Sequence, residues 1–152
     1  MTAGRNPFNG EEKRTQIERK KKILFVCTHN SSRSQMAEGL LRALRGNRWE
    51  VASAGTAPTG VHPCAVAVMA EIGIDIRDHR AKGLDAFQGI AFDEVVTVCD
   101  HAQESCPVVP GGGVKRHQSF EDPAAAKGTE AEVLAVFRRV RDEIRNWIME
   151  TY

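Results

Sequence analysis

The feature that most constrains the fold is a short apolar run, Ile23 to Val26, followed directly by a polar loop and an amphipathic helix. A continuous apolar run of this length is typical of a strand buried on both faces of a parallel sheet. After the polar stretch Thr28 to Ser34, apolar residues recur at helical spacing until Gly46, which is placed to end the helix. The ordered part of the chain therefore begins as strand, loop and helix.

The alternation of strand-like and helix-like segments continues along the chain. Short apolar runs predict three more strands, a proline begins a second helix, and a capping-box spacing begins a long closing helix. These segments are Trp49 to Ala52, His62 to Ala70, Glu94 to Cys99, Lys115 to Phe120 and the helix from Thr129 onward. The alternation implies right-handed crossovers and a covered parallel sheet. We predict one α/β domain, a four-stranded parallel sheet with helices on both faces in a three-layer, flavodoxin-like arrangement.

Composition and charge exclude several classes of function. The chain has 152 residues, which suits a single domain, and its formal net charge of +1 offers no field for nucleic acid or an anionic membrane. No apolar stretch is long enough for a signal peptide or a membrane span. Four cysteines are too few and too unevenly placed for a disulfide framework, so we expect a reducing, cytoplasmic location. Residues 1–21 are predicted to be a flexible basic extension, and residues 22–152 the domain.

The loop CTHNSSRS, from Cys27 to Ser34, places a thiol and a guanidinium six positions apart between the first strand and the first helix. Successive loop N–H groups can form an anion-binding nest, the helix N-terminus adds positive potential, and Arg33 can hold two oxygens with its planar fork. Ser34 is placed to donate a hydrogen bond to the sulfur. We predict that Cys27 is a nucleophile and that its substrate is a tetrahedral oxyanion. The predicted oxyanion-binding residues are Thr28, His29, Asn30, Ser31, Ser32, Arg33 and Ser34.

A further candidate for chemistry is Asp122, because the following Pro123 biases it toward an extended backbone that can hold a carboxyl group over a pocket. A carboxyl group in such a position would protonate a departing oxygen. An ordinary Asp-Pro turn has the same sequence. The dipeptide alone leaves both interpretations open.

Cys99 and Cys106 are two further thiols, separated by the six residues DHAQES. A disulfide between them requires the intervening segment to bend or unfold, because the two α carbons must come within about 6 Å of each other. With Cys27 they would make a thiol relay. Two other interpretations are a core residue beside an incidental surface thiol, and a metal site completed by His101 and His117. The spacing of these residues matches no familiar zinc site, so we expect no bound metal.

Several separated motifs together resemble one protein family. They are CTHNSSRSQMAEG from Cys27, SAGT at Ser53 to Thr56, VVTVC ending at Cys99, the Cys106-Pro107 pair, and EDPA at Glu121 to Ala124. The chain resembles the thioredoxin-coupled arsenate reductases built on the low-molecular-weight protein tyrosine phosphatase scaffold. The resemblance extends from about Lys22 to Met149 and implies the fold of those phosphatases.

The resemblance also implies a sequence of roles in the reduction of arsenate. Cys27 would attack arsenate, Arg33 and the loop amides would bind its oxygens, and Asp122 would protonate the leaving hydroxyl. Cys99 would then attack Cys27, so that arsenite departs as a disulfide forms. Cys106 would attack Cys99 and complete an exposed disulfide. The implied physiological role is arsenic detoxification.

The same resemblance implies the partners of the reaction. Thioredoxin would reduce the exposed disulfide, phosphate or sulfate would compete with arsenate, and no bound cofactor is needed. We expect a monomer without a nucleic-acid or membrane partner. Ser34 would support the Cys27 thiolate. Two loop residues depart from the family pattern, since Ser32 replaces a second cysteine found in many relatives and His29 stands where glycine is frequent.

Some relatives hold a potassium ion with an asparagine, a glutamate and a serine that match Asn30, Glu38 and Ser53. They also use an aspartate whose position is occupied here by Lys82. A lysine ammonium can replace the cation, so little dependence on potassium is expected. Asn30 and Ser53 are still expected to brace the loop through hydrogen bonds.

Two other functions use part of the same residue set. A low-molecular-weight phosphatase needs the nucleophile, the arginine and the acid, but it has no use for the extra thiols, and such enzymes usually carry an aromatic residue where this chain has Ala124. A sensor of trivalent arsenic would need only Cys27, Cys99 and Cys106. It would need neither Arg33 nor a proton donor, and no output domain is visible in the sequence.

Overall fold

A computed structural model describes residues 20–105 and 113–152, so Cys106 and residues 1–19 of the predicted extension lie outside the described residues. The strands are β1 (Lys21–Cys27), β2 (Trp49–Gly55), β3 (Glu94–Thr97) and β4 (Val114–His117). The helices are α1 (Arg33–Arg45), α2 (Pro63–Glu71), α3 (Asp100–Ser105) and α4 (Glu130–Thr151), with short 3-10 helices at Leu84–Phe87 and Pro123–Ala125.

The four strands form one parallel sheet in the order β2-β1-β3-β4. Every residue from Ile23 to Cys27 is buried, and successive side chains of a strand point to opposite faces, so both faces of the sheet are covered. The predicted α/β fold with a single four-stranded parallel sheet is confirmed. The predicted positions of the first two strands, of α1 and α2, and of the capping box at Thr129 also agree with the structure.

The strand order reverses between β1 and β3, because the chain first crosses from β1 to β2 and then returns to the other side of β1. In open α/β sheets, ligands bind in the crevice beyond the carboxyl ends of the strands at such a switch point. Cys27 is the last residue of β1, and Cys99 follows β3 by two residues. The fold therefore brings both cysteines to the same crevice.

The core is built on β1 and on the long helix α4. Phe25 and Phe137 are among the largest fully buried side chains, and α4 packs against both α1 and α2. Trp147 of α4 makes edge-to-face contacts with Phe25 and Phe120, with ring centroids 6.5 and 5.9 Å away. These aromatic contacts connect the centre of the sheet to the loop that follows β4.

Three strands end at other residues than predicted. β2 extends to Gly55 rather than Ala52, whereas β3 and β4 end earlier than predicted. β3 ends at Thr97, because Cys99 has already turned into the start of α3, and β4 ends at His117 rather than Phe120. Helix α3 was not predicted, since DHAQES is short and lacks an apolar period. Within residues 20–105 and 113–152, no helix has both the length and the apolar character to cross a membrane.

The capping box of α4 offers a direct test of how the closing helix is held. The Thr129 hydroxyl accepts a hydrogen bond from the Glu132 amide, and the Glu132 carboxylate accepts one from the Thr129 amide. Thr129→Ala is expected to lower the free energy of unfolding by about 1 kcal/mol, because the hydroxyl cap is lost. Urea unfolding monitored by circular dichroism measures this. Thr151→Ala at the other end of α4 is the matched control and should change stability much less.

Candidate active site

The carbonyl groups of the loop between β1 and α1 all point away from its interior. Each carbonyl from Cys27 to Ser32 accepts a hydrogen bond of 2.7 to 3.2 Å from a group beyond the loop. In chain order the donors are the amides of Thr56, Ala57 and Thr59, the Gln35 side chain, and the amides of His62 and Met36. In a trans peptide the C=O and the following N–H point in opposite directions, so the loop amides face inward.

These inward amides have the arrangement of an anion-binding nest. None of the N–H groups from Thr28 to Ser32 donates to another protein group in the part of the chain that the structure describes. The first turn of α1, which begins at Arg33, adds N–H groups that no helix can satisfy internally. The loop and the helix N-terminus together can bind several oxygens of one anion.

Asn30 holds the loop in this shape. Its backbone has a φ of 49°, a left-handed conformation that asparagine adopts more readily than most residues. Its side-chain N–H groups donate to Ser34 Oγ at 2.8 Å and Ser53 Oγ at 2.9 Å. Its Oδ1 accepts from Gln35 Nε2 and from the Lys82 amide, both at 2.9 Å. The amide group is thus fully hydrogen-bonded within the core and joins the loop to β2 and to the chain beyond α2.

Cys27 is only 2% exposed, and its sulfur lies 2.8 Å from Ser34 Oγ. Because the Ser34 hydroxyl accepts a hydrogen bond from Asn30, its own proton is available to donate to the sulfur. The sulfur sits at the base of the loop amides, at the carboxyl end of the central strand. A thiolate in this position could attack an oxyanion bound by the loop amides, so the role of Cys27 as a nucleophile stays a prediction.

The loop can approach β2 this closely only because residue 55 is glycine. A Cβ atom at Gly55 would lie 2.7 Å from the Thr28 carbonyl oxygen, 2.8 Å from the Asn30 amide nitrogen and 2.9 Å from the His29 carbonyl carbon. All three neighbours are backbone atoms of the loop, which cannot move away without opening the nest. The SAGT motif contains this glycine, but sequence reasoning gave it no role in the site.

Arg33 and Asp122 lie together above the loop. Arg33 Nη1 donates to the Phe120 carbonyl at 3.1 Å, and Nη2 lies 3.7 Å from Asp122 Oδ2. The Asp122 carboxylate also accepts from the Ala124 amide at 3.0 Å and caps the 3-10 helix Pro123–Ala125. Asp122 therefore forms a turn and also lines the cleft near Arg33, whereas its role as a proton donor stays a prediction.

Cys99 lies beside the same loop. Its sulfur is 3.3 Å from Thr28 Oγ1 and accepts a hydrogen bond from the Ala102 amide at 3.4 Å. The crevice between the loop and the segment after β4 is a cleft of about 490 Å³. Its lining residues are Thr28, His29, Arg33, Cys99, Asp100, His101, Ser119, Phe120, Glu121 and Asp122. The structure thus brings Cys99, Arg33 and Asp122 together in one cleft. Cys106 lies outside the described residues.

The residues that match the potassium ligands of relatives are engaged by protein groups. The Glu38 carboxylate accepts from Ser53 Oγ at 2.5 Å and from Arg42 Nη2 at 2.6 Å. Lys82 Nζ donates to the Arg80 carbonyl at 2.8 Å, and partial burial lowers the pKa of Lys82, with Glu38 acting in the opposite direction. The oxygens of Asn30 and Glu38 that would ligate a cation are already paired with donors. These residues do not fit a bound potassium ion.

His79 belongs to the same buried group and was not identified from the sequence. Its Nδ1 lies 2.9 Å from Gln35 Oε1, and its Nε2 lies 3.9 Å from Glu38 Oε2. Burial lowers the pKa of His79, which favours the neutral ring beside Arg42. Gln35 itself donates to the Asn30 carbonyl and side chain, so it connects His79 to the loop. No periodicity or motif in the sequence distinguishes Gln35 or His79.

The candidate metal site can be compared with the structure only at Cys99, His101 and His117, because Cys106 lies outside the described residues. No group of three or more histidine, cysteine, aspartate or glutamate side chains within residues 20–105 and 113–152 could hold a metal ion. His117, one of the candidate ligands, contacts Thr97 and Asp100 instead, at 2.7 and 3.0 Å.

Comparison with known proteins gives relatives along most of the chain. An arsenate reductase of Halalkalibacterium halodurans is 50% identical over 125 residues, which cover 82% of this chain and 90% of the relative. An arsenate reductase of Bacillus subtilis is 46% identical over 128 residues, covering 84% and 92%. The relatives and this chain therefore share nearly their whole length.

Solved structures of arsenate reductases are also similar to this chain along most of its length. An arsenate reductase in oxidized state superposes with a TM-score of 0.73 at 34% identity and covers 86% of this chain and 95% of its own. An arsenate reductase in the phosphate binding state gives a TM-score of 0.69 at 32% identity, again covering 86% and 95%. A thioredoxin-dependent arsenate reductase of Corynebacterium glutamicum gives a TM-score of 0.58 at 26% identity, covering 96% and 74%.

The family model that matches describes the low molecular weight phosphotyrosine protein phosphatases, and the match extends over residues 22–151. That range begins at the second residue of β1 and ends at the last residue of α4, so it includes nearly all of the sheet and both sides of the cleft. The chain belongs to the low molecular weight phosphotyrosine protein phosphatase family.

Proposed function

We propose that the protein reduces arsenate to arsenite with a relay of three cysteines, Cys27, Cys99 and Cys106, and that thioredoxin returns the relay to its thiol form. The observation that carries the proposal is a second thiol in the oxyanion cleft, since Thr28 Oγ1 contacts Cys99 at 3.3 Å from within the loop. A phosphatase has no use for this thiol. The similarity to arsenate reductases at 46 to 50% identity supports the same activity.

The first step forms a bond between sulfur and arsenic. The Cys27 thiolate attacks arsenic(V) while the loop amides and Arg33 bind the arsenate oxygens, and one hydroxyl leaves with a proton from Asp122 as water. The 3.7 Å separation between Arg33 Nη2 and Asp122 Oδ2 supports the choice of Asp122 as the acid. Ser34 stabilises the sulfur before the attack through its 2.8 Å contact.

The second step transfers two electrons to arsenic. The Cys99 thiolate attacks the Cys27 sulfur, the electron pair of the sulfur–arsenic bond passes to arsenic, and arsenite leaves as a Cys27–Cys99 disulfide forms. The attack needs the Cys99 sulfur near the loop, where Thr28 and the Ala102 amide hold it. Thr28 is thus assigned a role in placing the second thiol as well as in the loop.

The third step moves the disulfide away from the loop. The Cys106 thiolate attacks Cys99 and releases Cys27 as a thiolate, and an external dithiol then supplies the two electrons that reduce the Cys99–Cys106 disulfide. A neighbour named as thioredoxin-dependent supports thioredoxin as that dithiol. Phosphate and sulfate have the same tetrahedral shape as arsenate and are proposed as competitors. We also propose that the protein acts as a cytoplasmic monomer without a bound cofactor.

A second candidate function is hydrolysis of phosphate monoesters. The observation that favours it is the family match, together with Arg33 and Asp122 in one cleft whose wall includes Thr28, the residue directly after Cys27. The exposed methyl group of Ala124 gives no aromatic wall for a phosphotyrosine ring. We therefore expect phosphatase activity on small, activated esters to be weak.

The relay is tested by replacing each thiol in turn. Cys99→Ser and Cys106→Ser are expected to abolish steady-state reduction of arsenate, because each leaves the relay without a step, and to keep hydrolysis of p-nitrophenyl phosphate. Cys27→Ser should abolish both activities. Arsenate-dependent oxidation of NADPH with thioredoxin and thioredoxin reductase measures the first activity, and release of p-nitrophenol the second.

Cys64→Ser is the matched control for these three variants, because Cys64 is a free thiol on α2 outside the cleft. Arsenate reduction that persists in Cys99→Ser or Cys106→Ser would contradict the relay. Phosphatase turnover without any arsenate reduction in the unmodified protein would establish the second candidate instead.

The close approach of the loop to β2 makes a separate prediction. Gly55→Ala is expected to lower kcat/KM for arsenate and for p-nitrophenyl phosphate alike by about 100-fold, since a loop displaced by a fraction of an ångström no longer aligns its amides with the oxyanion. Gly60→Ala is the matched control, because a Cβ atom at that position meets nothing within 4 Å. Equal kinetics for the two variants would show that the loop tolerates the displacement.

The side-chain oxygens of Asn30 and Glu38 already accept hydrogen bonds from protein groups. We therefore predict that potassium has little effect on the rate of arsenate reduction. Arsenate reduction in KCl and in NaCl at equal ionic strength, where screening is the same, should agree within about twofold. Lys82→Asp is the informative variant, because it removes the ammonium group and adds a carboxylate beside Asn30 and Glu38. This variant should gain activation by potassium over sodium. Strong potassium activation of the unmodified protein would refute the assignment of Lys82.

A further inference from the structure

The His117 side chain joins the end of β4 to both the end of β3 and the start of α3. Its Nδ1 lies 2.7 Å from Thr97 Oγ1, and its Nε2 lies 3.0 Å from Asp100 Oδ1. Thr97 is fully buried, and Asp100 is the first residue of α3, directly after Cys99. We call these two contacts the His117 bridge.

We propose that His117 is a positioning residue for the second thiol. The His117 bridge holds α3 against the sheet and so sets how readily Cys99 leaves the cleft to pair with Cys106. This inference rests on the relay proposed above, and it adds a residue that takes no part in bond making. Breaking the bridge is expected to shift the thiol–disulfide equilibrium of Cys99 and Cys106 toward the disulfide.

The geometry of α3 makes an opening step necessary. The helix occupies the six residues Asp100–Ser105, and an α-helix rises 1.5 Å per residue. A helix of six residues is therefore about 9 Å long. A disulfide needs α carbons within about 6 Å of each other. The proposed Cys99–Cys106 disulfide therefore requires α3 to unwind at least in part.

The His117 bridge is well placed to oppose this unwinding. Among the side chains that the structure describes, Asp100 is the only residue of α3 whose side chain forms a hydrogen bond or ion pair with another element. The other contacts of the segment are the buried Ala102 side chain and the hydrogen bonds to Cys99 from the amides of Ala102 and Gln103. Release of Asp100 frees the first turn, which carries Cys99 with it.

The bridge does not depend on one protonation state of the histidine. A neutral ring that donates from Nε2 to Asp100 can accept at Nδ1 from the Thr97 hydroxyl, and a charged ring can donate to both partners. The Asp100 side chain is 78% exposed, so its contact is the weaker of the two. A contact of this strength can hold α3 closed and still break in every turnover.

The test uses full-length protein with Cys27→Ser and Cys64→Ser, so that Cys99 and Cys106 are the remaining thiols. The protein is equilibrated in mixtures of reduced and oxidised dithiothreitol, and free thiols are then alkylated and counted by mass spectrometry. His117→Phe keeps the ring and removes both polar contacts. The reduced state loses the bridge, so the equilibrium should move about threefold toward the disulfide. That change corresponds to a reduction potential about 14 mV more negative.

Three further variants separate the bridge from other effects. Lys115→Phe adds an aromatic side chain to β4 at an exposed position and should leave the equilibrium unchanged. His117→Gln can still donate to one partner and should give a smaller shift than His117→Phe. Asp100→Asn weakens the bridge and also the charge at the start of α3, so it should be non-additive with His117→Phe.

The outcomes distinguish this inference from the relay on which it rests. A His117→Phe equilibrium equal to that of the parent, or full additivity with Asp100→Asn, overturns the bridge and leaves the relay intact. A parent protein that forms no Cys99–Cys106 disulfide in any of the mixtures overturns the relay and the bridge together. Hydrolysis of p-nitrophenyl phosphate by His117→Phe, made with Cys27 present, should match the unmodified protein, because that reaction needs no movement of α3.

Discussion

The outward orientation of the carbonyl groups from Cys27 to Ser32 is the constraint on which the rest of the site depends. A loop with inward amides carries concentrated positive potential and would otherwise prefer a different backbone conformation or bonds to water. The segment after β2 supplies amide donors to four of these carbonyls. The Gln35 side chain donates to the Asn30 carbonyl and also to the Asn30 side chain, which holds the loop from within. An anion is thus bound by peptide groups that the fold has already oriented.

The same scaffold explains the composition of the buried polar group behind the loop. Asn30 is surrounded by partners from α1, from β2 and from the chain before the first 3-10 helix, and each partner is itself paired. Glu38 in this group is paired with Arg42 and with the Ser53 hydroxyl, which in turn contacts Asn30. A buried polar network is stable only when each member is satisfied, and this one meets that condition at Asn30 and Glu38.

The two elements that border the cleft, the loop after β1 and the helix α3, differ in how many hydrogen bonds attach them to the rest of the fold. The loop is fixed by hydrogen bonds from several elements, whereas α3 is one short helix whose polar attachment, in the described part of the chain, is made at its first residue. Chemistry at Cys27 benefits from rigidity, because the oxyanion must meet aligned donors. The proposed exchange of a disulfide needs a segment that moves. The switch point of the sheet places the loop after β1 and α3 after β3, so Cys27 and Cys99 lie on different elements that border the same crevice.

The sequence by itself determined the order of the four strands and of α1, α2 and α4, the polar loop after β1 and the capping of α4, because each depends on residues that are neighbours in the chain. The run Ile23 to Val26, the polar loop and the helical period that follows are local patterns with one physical interpretation. Only the tertiary structure determined the contacts between residues that are far apart in the sequence. The need for glycine at position 55, the pairing of Gln35 with His79, and the contact of His117 with Asp100 come from elements that pack side by side. No spacing in the sequence records such contacts, since they arise from strand order and from close approach across the sheet.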